Sequence, residues 1–176
     1  MTSGEMSVRP LILSGGPAAG KSTCGRLLAA QRSRAAYIDA DDIRQLVIAG
    51  AATLWSGEEG EAQHLLAARN VAASGRNLVA AGFDLVVSDV VTPDTLPVYR
   101  AEFPDCFIVH LHLTLDEARR RSATRTEYLT GEEFDLLHAM TRTPPDVDLV
   151  LDVSGKSVDE QVDVLCRAWE ESSRHG

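Results

Sequence analysis

The sequence predicts an α/β fold of three layers, in which helices cover both faces of a five-stranded parallel sheet. Short apolar runs, typical of buried strands, alternate along the chain with longer amphipathic stretches typical of helices. Most of the strand candidates are apolar at nearly every position, as a sheet covered on both faces requires. A chain of 176 residues is long enough to form one such domain with a complete core.

Local signals define the individual elements. The five strand candidates occupy residues 10–14, 35–39, 84–89, 106–113 and 147–153. Helical patterns occupy residues 21–31, 41–49, 60–81, 94–102, 115–125, 131–141 and 158–172. Thr130 with Glu133, and Ser157 with Glu160, have the spacing of capping boxes and predict the starts of the last two helices.

The composition narrows the functional classes. Apolar residues make up 44% of the chain and charged residues 24%, as in soluble globular proteins. No apolar run reaches the length of a membrane span and the N-terminus lacks a secretory signal, so we expect a cytoplasmic protein without a membrane partner. The formal charge of −9 disfavours a protein that holds long nucleic acids, and no protein partner is implied. We expect a flexible tail over residues 1–8 and a single domain over residues 9–176.

Residues 15–22, GGPAAGKS, fit the phosphate-binding pattern G-x-x-x-x-G-K-[ST]. Its glycines let backbone N–H groups approach a chain of phosphates, and the helix that follows favours anions at its N-terminus. An apolar run before the stretch and a helical pattern after it favour this interpretation over an ordinary glycine-rich turn. We expect Lys21 to reach the β- and γ-phosphates of ATP and the Ser22 hydroxyl to bind Mg²⁺. The predicted nucleotide-binding residues here are Gly15, Gly16, Pro17, Ala18, Ala19, Gly20, Lys21, Ser22 and Thr23.

A cluster of charges follows the second strand candidate, in the run YIDADDIR at residues 37–44. Ligands of open α/β sheets bind beyond the carboxyl ends of the strands, where this run lies. Helix capping accounts for one aspartate, but not for three aspartates and an arginine one turn on. A hydroxyl nucleophile needs a carboxylate to accept its proton, and Asp41 is our candidate for this base. Asp39 is expected to hold a Mg²⁺-bound water and Arg44 an acceptor group.

The third strand candidate ends at Asp89. A carboxylate at this position can bind Mg²⁺ directly or through water, contact the acceptor, or cap the following helix. We predict a metal or substrate role for Asp89, and whether it or Asp39 is the main carboxylate on the metal side stays open.

The helical pattern over residues 60–81 and the stretch before it lie beside the predicted acceptor site. Arg69 and Asn70 are candidates for lining the acceptor pocket, although any amphipathic helix would show such a polar side. Whether Trp55 and His64 contact the substrate stays open.

Arginines are concentrated in the run RRRSATR at residues 119–125 of this acidic chain. Such a run is most commonly a solvated helix face. Arg121 and Arg125, however, are four residues apart and share a helix face, so we expect them to stabilise charge on the transferred phosphoryl group. A lid over about residues 119–131 is expected to exclude water from the site. Gly155, in the loop after the last strand, is a candidate for contact with the nucleotide.

In order, GGPAAGKS, YIDADDIR, VVSDVV and RRRSATR resemble the motifs of P-loop kinases built like nucleoside monophosphate kinases. The IDAD stretch is similar to the D-x-D of shikimate and gluconate kinases, which implies that Asp39 assists Mg²⁺ and Asp41 meets the acceptor hydroxyl. DDIRQ and the R-x-x-x-R of Arg121 and Arg125 resemble the kinase domain of phage polynucleotide 5′-kinase, which implies that Arg44 binds an acceptor phosphate and Arg125 bridges phosphates. GGPAAGKS and SDVV resemble chloramphenicol phosphotransferase, where the base again maps to Asp41, and zeta-toxin-like kinases share the Asp motif.

These patterns predict an ATP-dependent, Mg²⁺-requiring O-phosphotransferase that acts on a hydroxyl of a small molecule, either a metabolite or an antibiotic-like compound. One alternative is a 5′-hydroxyl nucleic-acid kinase, which Arg44 and the DDIRQ run favour and the net charge disfavours. The other is a non-catalytic nucleotide-binding regulatory module. The sequence determines neither the acceptor nor the oligomeric state.

Overall fold

Helices cover both faces of a five-stranded sheet in the computed structural model, which describes residues 8–124 and 129–174. The strands are β1 Leu11–Gly15, β2 Ala35–Asp39, β3 Asp84–Ser88, β4 Phe107–His112 and β5 Leu149–Asp152. The helices are α1 Lys21–Ala30, α2 Ala40–Arg44, α3 Gly57–Ala80, α4 Leu96–Glu102, α5 Leu115–Ser122, α6 Gly131–Thr141 and α7 Val158–Arg174. The predicted fold class is confirmed.

The strands are all parallel and lie in the order β2-β3-β1-β4-β5. Ser88 at the end of β3 is paired with Leu13 of β1 on one side and with Asp39 of β2 on the other. The loops that follow these three strands therefore leave the sheet at the same edge. Strands β2 and β3 lie on one side of β1, and β4 and β5 lie on the other. The connections therefore diverge at the carboxyl end of β1 and leave a crevice there, the place where open α/β sheets bind ligands.

The sheet divides the core into two halves. On one face, Leu28 of α1 packs with Leu165 and Trp169 of α7 against the central strands. On the other face, α3 and α4 contribute Val71 and Tyr99. All five side chains are at most 1% exposed, so the sheet is buried from both sides, as its apolar strands require.

The chain enters the fold earlier than the sequence predicts. Val8, which we expected at the end of a flexible tail, is 9% exposed and belongs to the core around β1. Its neighbour Arg9 is fastened to α7, since its backbone carbonyl accepts a 2.6 Å hydrogen bond from Trp169 Nε1. The rest of the predicted tail, residues 1–7, lies outside the described residues.

The prediction of a helix over residues 41–49 is wrong in its extent. Helix α2 ends at Arg44, and residues 45–56 form an irregular segment. Two apolar residues of the predicted helix, Leu46 and Ile48, are exposed rather than packed on the sheet. A helix needs such packing because a few turns are unstable in water by themselves.

The two predicted capping boxes are confirmed. Thr130 and Glu133 exchange side-chain-to-backbone hydrogen bonds at the start of α6, and Ser157 and Glu160 do the same at the start of α7. Among the described helices, none is long and apolar enough to cross a membrane.

Candidate active site

The loop between β1 and α1 has the backbone conformation that its glycines allow. Gly15 and Gly20 have φ angles of 143° and 94°, a region that disfavours other residues. A Cβ on Gly15 would also lie 2.6 Å from the carbonyl oxygen of Leu111. Ala18, between these two glycines, also has a positive φ, of 57°. The loop therefore makes a tight turn directly before α1. This is the shape that directs successive N–H groups towards an anion.

Lys21, the first residue of α1, folds back over this loop. Its Nζ donates hydrogen bonds of 2.9 Å to the carbonyl oxygens of Gly15 and of Gly16. Burial lowers the pKa of Lys21, while the carboxylates of Asp41 and Asp39 oppose that decrease. The lysine therefore lies within electrostatic reach of the carboxylates at the end of β2 and the start of α2.

Asp39 ends β2 and caps α2, since its Oδ1 accepts a 3.1 Å hydrogen bond from the N–H of Asp41. Its Oδ2 accepts a 2.9 Å bond from the hydroxyl of Tyr37, which is also 2.5 Å from Ser88 Oγ. Burial raises the pKa of Tyr37 to about 12, so this hydroxyl stays protonated and donates. Of the three predicted Mg²⁺-side groups, Ser22, Asp39 and Asp89, the first two supply a hydroxyl and a carboxylate, oxygen ligands that suit this ion.

In the described part of the chain, no three His, Cys, Asp or Glu side chains converge as a metal site.

Arg44, at the end of α2, lies at the centre of an ionic cluster. Its Nη2 donates to Asp41 Oδ1, and its Nη1 lies 3.3 Å from Asp89 Oδ1. Burial alone would lower the pKa of Arg44, but the two carboxylates outweigh it and raise the pKa. The guanidinium, which the sequence assigns to an acceptor group, is thus already held between two aspartates. Asp41 itself stays accessible, with 66% of its side chain exposed.

Asp89 is buried beneath this cluster, and its side chain is 0% exposed. Its Oδ1 accepts a 2.8 Å hydrogen bond from the N–H of Val90, and its Oδ2 accepts a 2.7 Å bond from the hydroxyl of Tyr99. With Arg44 as third partner, both oxygens are engaged. This geometry favours a role in fixing Arg44 over the direct metal or substrate contact that the sequence suggests.

His64 of α3 completes the support of Arg44. Its Nδ1 lies 2.8 Å from Arg44 Nη1 and its Nε2 lies 2.7 Å from the carbonyl oxygen of Val90. Because the arginine only donates and the carbonyl only accepts, the two contacts together assign the neutral tautomer with hydrogen on Nε2. His64 is 2% exposed, so it acts on the cleft through Arg44.

The phosphate loop and Asp41 line one cleft of about 1020 Å³. The opposite wall comes from the irregular segment 45–56 and from α3, and it includes Trp55 and Asn70. Asn70 and Arg69 are both exposed on α3, but only Asn70 lines the cleft.

Arg121 is directed towards the loop after β5. Its Nη2 donates to the carbonyl oxygens of Val153 and Lys156, at 2.8 and 3.2 Å, and its Nε bonds Glu117 at 3.1 Å. In this conformation the side chain supports the loop that carries Gly155. Arg125, the predicted partner of Arg121 in phosphoryl transfer, lies outside the described residues, as does part of the predicted lid over residues 119–131.

Solved structures of small-molecule kinases share this architecture. A sugar kinase from Janibacter sp. HTCC2649 is 16% identical with a TM-score of 0.73, and the match covers 94% of this chain and 96% of that one. A gluconokinase from Sinorhizobium meliloti 1021 is 18% identical with a TM-score of 0.71 and 97% coverage of both chains. A shikimate kinase from Acinetobacter baumannii, solved with shikimate, is 18% identical with a TM-score of 0.62, covering 94% of this chain and 95% of its own. The fold is that of the P-loop kinases built like nucleoside monophosphate kinases.

No protein-family model matches the sequence, and no curated protein does. The P-loop kinase fold therefore rests on structural similarity, which agrees with the resemblance drawn from the motifs. At these identities the similarity gives the fold and leaves the acceptor to be argued from the cleft.

Two of the supporting residues, Tyr37 and Tyr99, were not predicted from the sequence, which also leaves open whether the third, His64, contacts the substrate. Tyr37 carried a usable signal, because it lies two residues before Asp39 on β2 and so projects from the same face of the strand. His64 and Tyr99 carried none, since they reach the cluster from α3 and α4 through tertiary packing.

Proposed function

We propose that the protein is an ATP-dependent, Mg²⁺-requiring kinase that transfers the γ-phosphate of ATP to a hydroxyl of a small molecule. The observation that carries the proposal is that Lys21, on the phosphate loop, and the exposed carboxylate of Asp41 line the same cleft. A cation for phosphate and a base for a hydroxyl are the two parts that phosphoryl transfer needs side by side. The similarity to sugar, gluconate and shikimate kinases supports this proposal.

In the proposed reaction the phosphate loop and Lys21 bind and orient the triphosphate. Arg44 anchors the Asp41 carboxylate through Oδ1, so Oδ2 is assigned to accept the proton of the acceptor hydroxyl. The hydroxyl oxygen attacks the γ-phosphorus in line, a new O–P bond forms, and the bond from that phosphorus to the β,γ-bridging oxygen breaks to release ADP. Ser22 and Asp39 would hold Mg²⁺, which neutralises phosphate charge when bound.

Two further parts of the proposal concern the arginines and the lid. Arg121, which extends from α5 and supports the loop that carries Gly155, would contact the nucleotide, and Arg125 would act on the transferred phosphoryl group. Closure of residues 119–131 would keep water from competing with the acceptor.

An acceptor screen with γ-labelled ATP and Mg²⁺ tests the proposal. It includes sugars, nucleosides, hydroxylated antibiotics and a 5′-hydroxyl oligonucleotide, and transfer of label to a small molecule is the expected result. Transfer only to the oligonucleotide would identify a nucleic-acid kinase instead, and a steep salt dependence would accompany it. Bound ATP without transfer to any acceptor would favour a regulatory module.

Asp41→Asn tests the assigned base. We expect turnover to fall by about 10²–10⁴-fold, because the amide cannot accept the proton, while ATP affinity stays unchanged. Asp42→Asn is the matched control, since Asp42 is adjacent and exposed and its carboxylate pairs only loosely with Arg26, at 3.8 Å. Steady-state kinetics and nucleotide titration measure the two effects. Wild-type turnover in Asp41→Asn, or an equal loss in Asp42→Asn, would refute the assignment.

A further inference from the structure

The acceptor side of the cleft is apolar where an exposed surface is normally polar. Leu46 and Ile48, in the irregular segment after α2, are 69% and 90% exposed, and Leu66 of α3 is 47% exposed. All three line the cleft together with Leu54 and Trp55. Large apolar side chains such as these gain free energy when they are removed from water. A contiguous apolar wall left open beside a catalytic carboxylate indicates a ligand that covers it.

The cleft offers this ligand little positive charge. Among the described residues that line it, the cations are Lys21 and Arg44. Lys21 belongs to the phosphate loop, and Arg44 is paired with Asp41 and Asp89. Two carboxylates against one guanidinium leave this cluster with a net negative charge. An anionic acceptor would therefore be repelled at the place where its hydroxyl must meet Asp41.

Two polar side chains of the wall, Gln63 and Thr53, are used within the protein. Gln63 accepts a 2.8 Å hydrogen bond from the N–H of Ala52, and its amide donates to the carbonyl oxygen of Gly50 at 2.7 Å. Thr53 Oγ1 is paired with Ser56 Oγ at 2.6 Å. The bonds of Gln63 hold residues 50–52 against α3, so these polar groups support the wall while its large apolar side chains line the cleft.

We propose that the acceptor is an uncharged alcohol carried on a largely apolar skeleton, aryl or branched alkyl, which packs on Leu46, Ile48 and Trp55 with its hydroxyl at Asp41. This inference rests on the proposed kinase function and adds its substrate class. It separates this protein from kinases whose acceptors are acids, because an acid requires a cation that the described acceptor side does not provide.

The first arm of the test measures binding without catalysis. Prodan, an uncharged naphthalene dye whose emission changes in apolar surroundings, is titrated into the protein. We expect binding that Ile48→Lys weakens by at least about tenfold, as the loss of one apolar contact predicts. Ile48 is almost fully exposed, so the substitution leaves the core intact. Val150→Lys is the matched control, because Val150 is 52% exposed on β5 and lies outside the cleft, and it should bind prodan as the wild type does.

The second arm compares charge on one skeleton. Tropate and its methyl ester share the same aryl group and the same hydroxyl, and each is used to displace prodan. We expect the ester to displace the dye at a concentration at least about tenfold lower than the acid, the difference that like-charge repulsion predicts. Equal or better displacement by the acid, or the failure of prodan to bind the wild type, would overturn the inference.

Label transfer from γ-labelled ATP to a panel of such acid and ester pairs separates this inference from the proposed function. Esters that displace prodan but receive no label would refute the kinase and leave the preference of the cleft in place. Acids that receive label while their esters do not would support the kinase and refute the inference.

Discussion

The hydrogen-bond partners of Asp89 favour a different role for this residue from the one that its sequence position suggests. A carboxylate at the end of a strand suggests a ligand for Mg²⁺ or substrate. In the structure its oxygens accept hydrogen bonds from Tyr99, Val90 and Arg44, and its side chain is buried. Such a buried carboxylate persists only with partners of this kind. The residue therefore determines where Arg44 lies, and Arg44 determines where Asp41 lies.

Tyr99→Phe tests this chain of contacts at the level of one hydroxyl. Burial raises the pKa of Tyr99 well above its usual range, so the hydroxyl keeps its proton and donates a hydrogen bond to Asp89. Its loss leaves Asp89 Oδ2 without that donor, and we expect the free energy of unfolding in urea to decrease by about 1–3 kcal/mol.

The same variant has a kinetic readout. Because Asp89 fixes Arg44, turnover should fall in Tyr99→Phe while the KM for ATP stays constant. The double variant Asp89→Asn/Tyr99→Phe should lose less stability than the sum of the two single variants, since one interaction is removed in both. Full additivity would show that the hydroxyl and the carboxylate do not interact.

At the scale of elements, residues 45–56 between α2 and α3 form the cleft wall opposite the glycine loop, and their backbone lies close to α3. Gly60, in the first turn of α3, lies under this segment. A Cβ at this position would be 2.0 Å from the carbonyl oxygen of Thr53 and 3.0 Å from that of Leu54. Backbone atoms cannot rotate away as the end of a side chain can. The absence of a side chain at residue 60 therefore sets how closely the wall approaches α3.

Gly60→Ala should displace the wall. We expect the KM for the acceptor to rise and the KM for ATP to stay unchanged, with a loss of about 1–3 kcal/mol in stability, the usual cost of overpacking. Gly131→Ala is the control, because Gly131 also lies in the first turn of a helix but a Cβ added there would have no described atom within 4 Å. Thermal unfolding and acceptor titrations compare the two variants. An unchanged acceptor KM in Gly60→Ala would show that the wall does not contact the acceptor.

At the scale of the whole molecule, a buried histidine makes stability depend on pH. His110 lies on β4 in the middle of the sheet, is 3% exposed, and its Nδ1 finds no hydrogen-bond partner among the described residues. Burial lowers its pKa from 6.5 to about 4, and the neighbouring positive charges of His112 and Lys21 act in the same direction. The folded protein therefore excludes a proton that the unfolded chain accepts.

The sign of the effect follows from this difference. Above pH 6.5 the imidazole is neutral in the folded and the unfolded protein, and stability does not depend on this group. Between pH 6.5 and about 4 only the unfolded chain binds the proton, so stability is lost as the pH falls. The full shift corresponds to about 3 kcal/mol. We expect urea unfolding of His110→Leu to lose that much less stability between pH 7 and pH 4 than the wild type. His112→Leu on the same strand should keep most of the pH dependence, and identical profiles for wild type and His110→Leu would contradict the assignment.

Much of the fold was predictable because its signals are local. The alternation of strands and helices, the glycine loop and the two capping boxes depend on neighbours within a few residues, and the structure confirms each of them. The limits of α2 were not predictable, since Leu46 and Val47, three and four residues after Ile43, have the spacing of a helix face but line a cleft. No local sequence rule distinguishes an apolar residue that packs on the core from one that lines a cleft.

The sequence likewise predicted those parts of the candidate site that depend on local motifs. The phosphate loop and the position of Asp41 follow from motifs, and their functional roles stay predictions. The partners of Arg44 were not predictable, because Asp89 and His64 approach it from β3 and α3. Their contacts depend on the strand order and on helix packing, which a single sequence does not determine.

The strand order also affects the order in which parts of the chain fold. The central strand β1, which carries the phosphate loop, is paired with β3 on one side and β4 on the other, so that Leu11 faces Val86 and Phe107. A chain growing from its N-terminus makes the centre of the sheet first and its neighbours much later. Until β4 has been synthesised, the strand that holds the nucleotide loop lacks half of its backbone partners, and such long-range pairing slows folding. In the complete chain the same two pairings join residues far apart in the sequence, so we expect pulse-labelled hydrogen exchange during refolding to find the amides of β1 among the last to be protected.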